Sequence, residues 1–165
     1  MQGLIFEWSL SKNWGASLIP LVLRSEYSHV SLVLDIDTLL SARMIGGVQK
    51  HTRDTNNYVK QEYWLLECDP TVALKWAHDQ IGKGYDFGAA FRFFLFFLNE
   101  DKKNFMCSEY STVAIKHTNI FTSPPKYNSW AVSPVELLRQ FKILNKLHNP
   151  VAHYLGTELS MSDFE

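Results

Sequence analysis

Cysteine is scarce in this sequence. Its 165 residues include two cysteines, Cys68 and Cys107, which are far apart and follow no paired spacing. This excludes a disulfide scaffold and a four-cysteine zinc site. Neither sign of charge is in excess, because 16 Lys and Arg residues against 17 Asp and Glu residues leave a formal net charge of −1. Proteins that mainly bind nucleic acid neutralise phosphates with basic residues, so this balance predicts no nucleic-acid partner.

Long apolar runs and export signals are lacking as well. The longest apolar run, residues 87–98, is interrupted by Arg92 and is too short to cross a bilayer. The N-terminal residues have neither a basic region nor a small-residue cleavage site, so they do not resemble a signal peptide. We therefore expect a soluble, cytoplasmic protein with reduced thiols and no transmembrane segment.

The apolar pattern changes from a period of two to a helical period near residue 69. Residues 27–36 alternate, with Val30 and Leu32 on one face and His29 and Ser31 on the other, which is typical of a half-buried strand. Because strands precede helices, we expect one α+β domain over residues 1–165. The expected strands are 4–6, 27–36, 39–44, a short piece from 48, and 58–68; the expected helices are 69–81, 87–98, 106–117 and 133–147, with a frayed tail after 156.

Cofactor motifs are also missing. The sequence has no phosphate-binding GxxxxGKS/T loop, no HExxH zinc motif, no GxSxG elbow and no CxxC pair. His148 and His153 lie five residues apart without a nearby acidic partner, which argues against a metal site. We expect no metal ion and no organic cofactor.

Cys107 is the most informative residue, because it lies where a polar loop becomes a helix. Unpaired amides and the positive end of the helix dipole lower a thiol pKa at such a position and favour a nucleophilic thiolate. The alternative is a small buried hydrophobic residue, as most free cysteines are. Cys68 ends a strand next to a helix start, and we expect it to be an ordinary thiol of this kind.

A cysteine nucleophile needs a general base, which is usually a histidine. His29 lies at the start of a predicted strand, on the face opposite the apolar row, and is the candidate base. The alternative is a hydrogen-bonded strand histidine without a chemical role. His51 lies in a polar stretch and is interpreted as a solvated surface residue.

Three segments, taken in chain order, form a pattern. Residues 27–34 (YSHVSLVL) contain the candidate base, residues 82–88 (GKGYDFG) form a tyrosine-containing loop, and residues 105–110 (FMCSEY) begin the candidate nucleophile helix. Together they resemble the NlpC-type, papain-like cysteine hydrolases. Because His29 precedes Cys107, the order is similar to that of the circularly permuted branch, the YiiX-like enzymes. The resemblance covers about residues 3–140 and implies a permuted papain-like fold with a curved antiparallel sheet packed against helices.

The resemblance implies a role for particular residues. Cys107 would be the nucleophile, and His29 the general base that later protonates the leaving group. The Cys107 amide would contribute to an oxyanion hole, and the hydroxyl of Tyr85 could add a second donor. The alternative for Tyr85 is a packed loop aromatic.

The third, histidine-orienting position departs from the family pattern. The family has a longer polar residue about twelve positions after the histidine, where this sequence has Ser41. A serine hydroxyl reaches less far, and a simple hairpin would not set Ser41 directly opposite His29. We expect Ser41 to act through a water, or another group to orient the imidazole, and catalysis could be weakened or lost.

The expected reaction is hydrolysis of an amide or ester bond, or acyl transfer, through a thioester on Cys107. The resemblance implies a small peptide, a cell-wall peptide or a lipid-like acyl group as substrate. Four phenylalanines within residues 93–97 could line an apolar pocket or a dimer contact, and the alternative for them is irregular core packing. The apolar pocket would suit a lipid-directed thiol acyltransferase. A second alternative is a catalytically weak or inactive binding module with the same fold.

Overall fold

A six-stranded antiparallel sheet forms the centre of the fold. It is seen in a computed structural model that describes residues 3–12, 26–86, 105–118, 120 and 132–164. The spatial order of the strands is β4-β3-β2-β1-β5-β6, with neighbours antiparallel. The strands are β1 (Gly3–Ser11), β2 (His29–Val33), β3 (Thr38–Arg43), β4 (Gly47–Thr52), β5 (Tyr58–Glu67) and β6 (Ala152–Gly156).

Three α-helices accompany the sheet in the described part of the chain. They are α1 (Thr71–Asp79), α2 (Cys107–Lys116) and α3 (Pro134–Asn145). The expected α+β class and the antiparallel sheet packed against helices are confirmed. The predicted helix over 87–98, with its phenylalanine run, lies outside the described residues.

Local signals in the sequence start two of the helices. The side chain of Ser133 accepts a hydrogen bond from the amide of Glu136 at 3.1 Å, which caps α3 as the sequence predicts. The carboxylate of Asp69 accepts one from the amide of Thr71 at 2.9 Å, and α1 begins there. Both helices end two residues before their predicted ends, which is a normal uncertainty for helix termini.

The two faces of the sheet bury different residues, as the alternation in β2 predicts. One face packs against the helices and forms the larger core, where Phe141 of α3 meets Trp8 at a ring distance of 5.0 Å and Phe6 at 5.4 Å. The other face carries a smaller cluster, to which Val33 belongs. The smaller cluster also includes Ile5, Leu39, Tyr63 and Leu65.

The C-terminal part of the chain differs most from the prediction. β6 was not predicted, and it pairs with β5 through contacts such as Leu65 with His153. After β6, Leu159 and Phe164 pack against the smaller cluster, so residues 157–164 cover one face of the sheet. The short strand has little local signal, because its pairing partner lies some ninety residues earlier in sequence.

Candidate active site

Cys107 is the first residue of α2, as the sequence predicts. The amide of Met106 donates a hydrogen bond to the carboxylate of Glu109 at 3.4 Å, and the amide of Tyr110 donates to the carbonyl of Met106 at 2.9 Å. These bonds fix the first turn. The thiol is 3% exposed and contacts the backbone amides of Val30, Ser108 and Cys107 itself. The thiol therefore lies against β2 at the residue that follows His29.

The protonation state of Cys107 differs from the expectation. Burial raises the pKa of the thiol to about 11, and this effect outweighs the three amide contacts that lower it. The helix N-terminus was expected to give a thiolate, but it offsets only part of the desolvation cost. At neutral pH the resting group is a thiol.

His29 contacts Ser41 directly, whereas the sequence predicts a bridging water or another orienting group in its place. In the register of β2 and β3, Leu32 lies opposite Leu40, so Ser41 is diagonal to His29 rather than opposite it. The two side chains nevertheless share a face of the sheet, and the distance from His29 Nε2 to Ser41 Oγ is 3.0 Å. A diagonal neighbour on the adjoining strand is within reach of a histidine ring, even when its own side chain is short.

His51 is part of the same cluster, which the sequence interpretation missed. Its Nε2 lies 3.0 Å from Ser41 Oγ, and its Nδ1 lies 3.4 Å from the carbonyl oxygen of Thr52. The side chain is half-buried rather than solvated, so the surface interpretation is wrong. The alternation of β4 is the sequence signal that indicates this position. Gln49 is the partner of Ser41 in the β3–β4 register, and His51, two residues further along, is on the same face of the strand.

Both histidines are neutral at physiological pH. Burial lowers the pKa of His29 to about 3, with smaller contributions from the nearby charges of His51 and Arg43. Burial also lowers the pKa of His51 to about 4, and Arg43 adds to the shift. A neutral imidazole has a free lone pair on one nitrogen, which a general base requires, but a pKa of about 3 makes His29 a weak base toward a thiol with a pKa of about 11.

The tyrosine loop is held by β4. The amide of Val48 donates to the carbonyl of Lys83 at 2.8 Å, and the amide of Gly82 donates to the carbonyl of Val48 at 2.9 Å. Gly47 makes this approach possible, since a Cβ there would lie 2.0 Å from the Lys83 carbonyl oxygen. Its φ of +66° also suits glycine.

The same loop is tied to the start of α2. Tyr85 forms a bridge with Phe105, whose amide donates to the carbonyl of Gly84 and whose carbonyl accepts from the amide of Asp86, both at 3.1 Å. Tyr85 is 8% exposed. Its pKa is raised by burial and then by the charges of Cys107 and Asp86, which places its hydroxyl in the electrostatic range of the thiol.

A pocket of about 510 Å³ opens over His29 and His51. Among its described lining residues, Met44 alone has a side chain without an oxygen or nitrogen atom. Cys107 is not among them, and the hydrogen bonds of the described residues include none between the Cys107 thiol and the His29 ring. The lining residues are Ser9, Ser11, Ser28, His29, Arg43, Met44, His51, Thr52, Asp54, Asn57, Tyr58 and Tyr85.

A buried ion pair supports the same face of the sheet. Glu7 of β1 is fully buried, lies opposite Ser31, and has a carboxylate oxygen 3.2 Å from Arg53 Nε and 2.9 Å from the hydroxyl of Tyr63. Burial raises the pKa of Glu7, against the lowering effects of Tyr63 and Arg53. The sequence signal was an acidic residue inside the apolar strand FEW.

The two histidines considered for a metal site have different surroundings. His148 is exposed after α3, whereas His153 of β6 lies 3.3 Å from the carboxylate of Glu67. An acidic partner is therefore present, contrary to the sequence interpretation. Within the described ranges, no group of three or more His, Cys, Asp or Glu residues is placed to hold a metal ion.

No protein-family model matches the chain, and no curated protein matches its sequence. In the parts of the chain that the structure describes, no helix has the length and apolar character needed to cross a membrane.

Proposed function

We propose that this protein is a thiol-dependent hydrolase of the peptidase or amidase type, in which Cys107 attacks an amide or ester carbonyl with His29 as general base. The observation that carries the proposal is the position of the thiol at the N-terminus of α2, against the amide of Val30, the residue next to His29. The ring of His29 is held at Nε2 by Ser41, which leaves Nδ1 for the thiol proton.

The chemistry follows from a neutral thiol and a neutral imidazole. His29 takes the thiol proton as the sulfur attacks the carbonyl carbon, and the resulting oxyanion is stabilised by the Cys107 amide and the Tyr85 hydroxyl. The intermediate collapses when His29 returns the proton to the leaving amine or alcohol, and a thioester remains on Cys107. Water activated by His29 then hydrolyses the thioester and releases the carboxylic acid.

The pocket favours a polar, peptide-like acyl group over a lipid chain. Its described lining side chains are almost all polar, and Arg43 and Asp54 bring a charge of each sign. An acyl chain needs predominantly apolar walls. Under this proposal the protein is related to the permuted, YiiX-like branch of the papain-like hydrolases.

Acylation by p-nitrophenyl acetate tests the proposal, because this small activated ester needs no specific pocket. We expect mass spectrometry to locate an acetyl thioester on Cys107, and we expect His29→Gln to slow acylation about a hundredfold. Cys68→Ser is the matched control and should leave the rate unchanged. Equal labelling of Cys68 and Cys107, or a His29→Gln variant as fast as wild type, would refute the proposal.

A binding module without turnover is the second candidate, and one observation favours it. Cys107 is 3% exposed and does not line the pocket, so a ligand in the pocket would not meet the sulfur directly. This candidate predicts no acetyl thioester on Cys107 in the same experiment, while the pocket would still bind its ligand.

A further inference from the structure

We infer that His51 acts through the hydroxyl of Ser41 as a positioning residue, which holds His29 in the tautomer that is protonated on Nε2 and keeps Nδ1 unprotonated. The inference rests on the proposed function for its chemical purpose. The tautomer itself follows from the hydrogen-bond chain alone.

The direction of the hydrogen bonds is set at the far end of the chain. The carbonyl oxygen of Thr52 only accepts, so the neutral His51 ring carries its proton on Nδ1, 3.4 Å from that oxygen. Its Nε2 is then an acceptor, and Ser41, 3.0 Å away, must donate its hydroxyl proton to it. A backbone carbonyl of β4 thus fixes the direction in which the Ser41 hydroxyl donates its proton, and the lone pairs of Oγ remain free to accept a hydrogen bond.

The Ser41 hydroxyl in turn sets the tautomer of His29. The hydroxyl oxygen of Ser41, having donated its proton to His51, accepts from His29 Nε2 at 3.0 Å. That nitrogen therefore carries the proton, and Nδ1 of His29 keeps its lone pair. This is the form that can take a proton from a neutral thiol. If the chain were reversed, His29 Nδ1 would be protonated and unable to act as the base.

This arrangement accounts for the short side chain at the third position. A serine without a second partner has a hydroxyl that rotates freely. It favours neither tautomer of His29, because it can both donate and accept a hydrogen bond. When His51 Nε2 accepts the hydroxyl proton of Ser41, the hydroxyl can donate in one direction only. Ser41 and His51 together therefore do what one longer polar side chain would do in a direct contact.

Charged and titratable groups from several elements face His51, and they matter for any measurement against pH. Arg43 of β3 lowers the pKa of His51, while His29 of β2 shares the Ser41 hydroxyl. Asp54, just after β4, and Tyr58, the first residue of β5, line the same pocket. Measurements near pH 7.5 keep both histidines neutral, as their lowered pKa values require.

Nuclear magnetic resonance on the full chain labelled with nitrogen-15 histidine tests the tautomers directly. Spectra that correlate ring nitrogens with carbon-bound protons distinguish a protonated nitrogen from an unprotonated one. In the wild type we expect a proton on Nε2 of His29 and on Nδ1 of His51. Ser41→Ala should shift His29 toward a mixture of tautomers, because the fixed acceptor is lost.

A matched control exists on the neighbouring strand. Ser31 is a serine of the same face, equally buried, and its hydroxyl has no hydrogen-bond partner among the residues that the structure describes. Ser31→Ala should therefore leave both tautomers unchanged. His51→Leu should reproduce the effect of Ser41→Ala, whereas His51→Gln, which keeps an acceptor oxygen for the serine proton, should restore at least part of the wild-type tautomer.

The rate of Cys107 acylation by p-nitrophenyl acetate separates this inference from the proposed function. We expect Ser41→Ala and His51→Leu to slow acylation about tenfold each, and the double variant to be no slower than either one. If His29→Gln slows acylation but Ser41→Ala changes neither tautomer nor rate, the positioning role is wrong and the proposed function stands. If the tautomers shift as expected but His29→Gln does not affect acylation, the hydrogen-bond chain stands and the proposed function fails.

Discussion

Acid should destabilise this protein through the two histidines of the site. An unfolded histidine titrates near 6.5, whereas burial lowers the pKa of His29 to about 3 and that of His51 to about 4. Protons therefore bind the unfolded chain preferentially, so stability is retained above pH 6.5 and is lost as the pH falls toward the folded-state values. Between about pH 7.5 and about pH 5, each histidine should remove about 2 kcal/mol. The pair removes about 4 kcal/mol, a large share of the 5–15 kcal/mol typical of a domain.

Urea unfolding at the two pH values measures this loss. We expect His29→Gln and His51→Gln each to abolish about half of the pH-dependent part, that is about 2 kcal/mol, because glutamine does not titrate. His148→Gln, at an exposed position after α3, is the control and should keep the wild-type dependence. If both site variants lose as much stability on acidification as the wild type does, the two histidines are not the cause of the acid sensitivity.

Two further predictions concern the support of the site, and both are checked by urea unfolding. Gly47→Ala should cost about 2 kcal/mol or more, because its methyl group would meet the Lys83 carbonyl and its φ is positive. The control Gly82→Ala, at φ +91° with nothing within 4 Å, should cost only about 1 kcal/mol, and equal losses would contradict the contact argument. Arg53→Met should cost about 3 kcal/mol by leaving the Glu7 carboxylate buried without its cation, and adding Glu7→Gln should recover part of it. A change within about 0.5 kcal/mol for Arg53→Met would show that the pair contributes nothing.

The local patterns in the sequence predicted much of the sheet and of the helix starts. The alternation around His29 predicts Val30 and Leu32 on one face of the strand and His29 on the other, and the structure has both, with Val30 and Leu32 in the helix-facing core. The start of α2 at Cys107 was equally readable, because a polar loop followed by a helical period marks a helix N-terminus. These features depend on residues that are close in sequence, so propensity and periodicity suffice for them.

The hydrogen bonds that join His29, Ser41 and His51 could not be predicted from the sequence in the same way. From the sequence, Ser41 is too short to reach His29, because a simple hairpin does not set the two residues opposite each other. In the structure they are diagonal neighbours, and this brings the hydroxyl to the ring. His51 looked exposed, because Gln49 and Lys50 next to it are polar and nothing nearby in sequence covers it. Only the β3–β4 register brings its ring to the hydroxyl of Ser41.

The sequence by itself determined that two unpaired thiols lie in an α+β chain, that Cys107 begins a helix and that His29 faces away from the apolar row. The tertiary structure decided the protonation states, since a thiol pKa depends on how much water the fold removes as well as on the helix end beneath it. It also decided the partners of His29, because hydrogen bonds between strands depend on register. Burial and register arise only when distant segments pack together, and no local pattern of residues contains them.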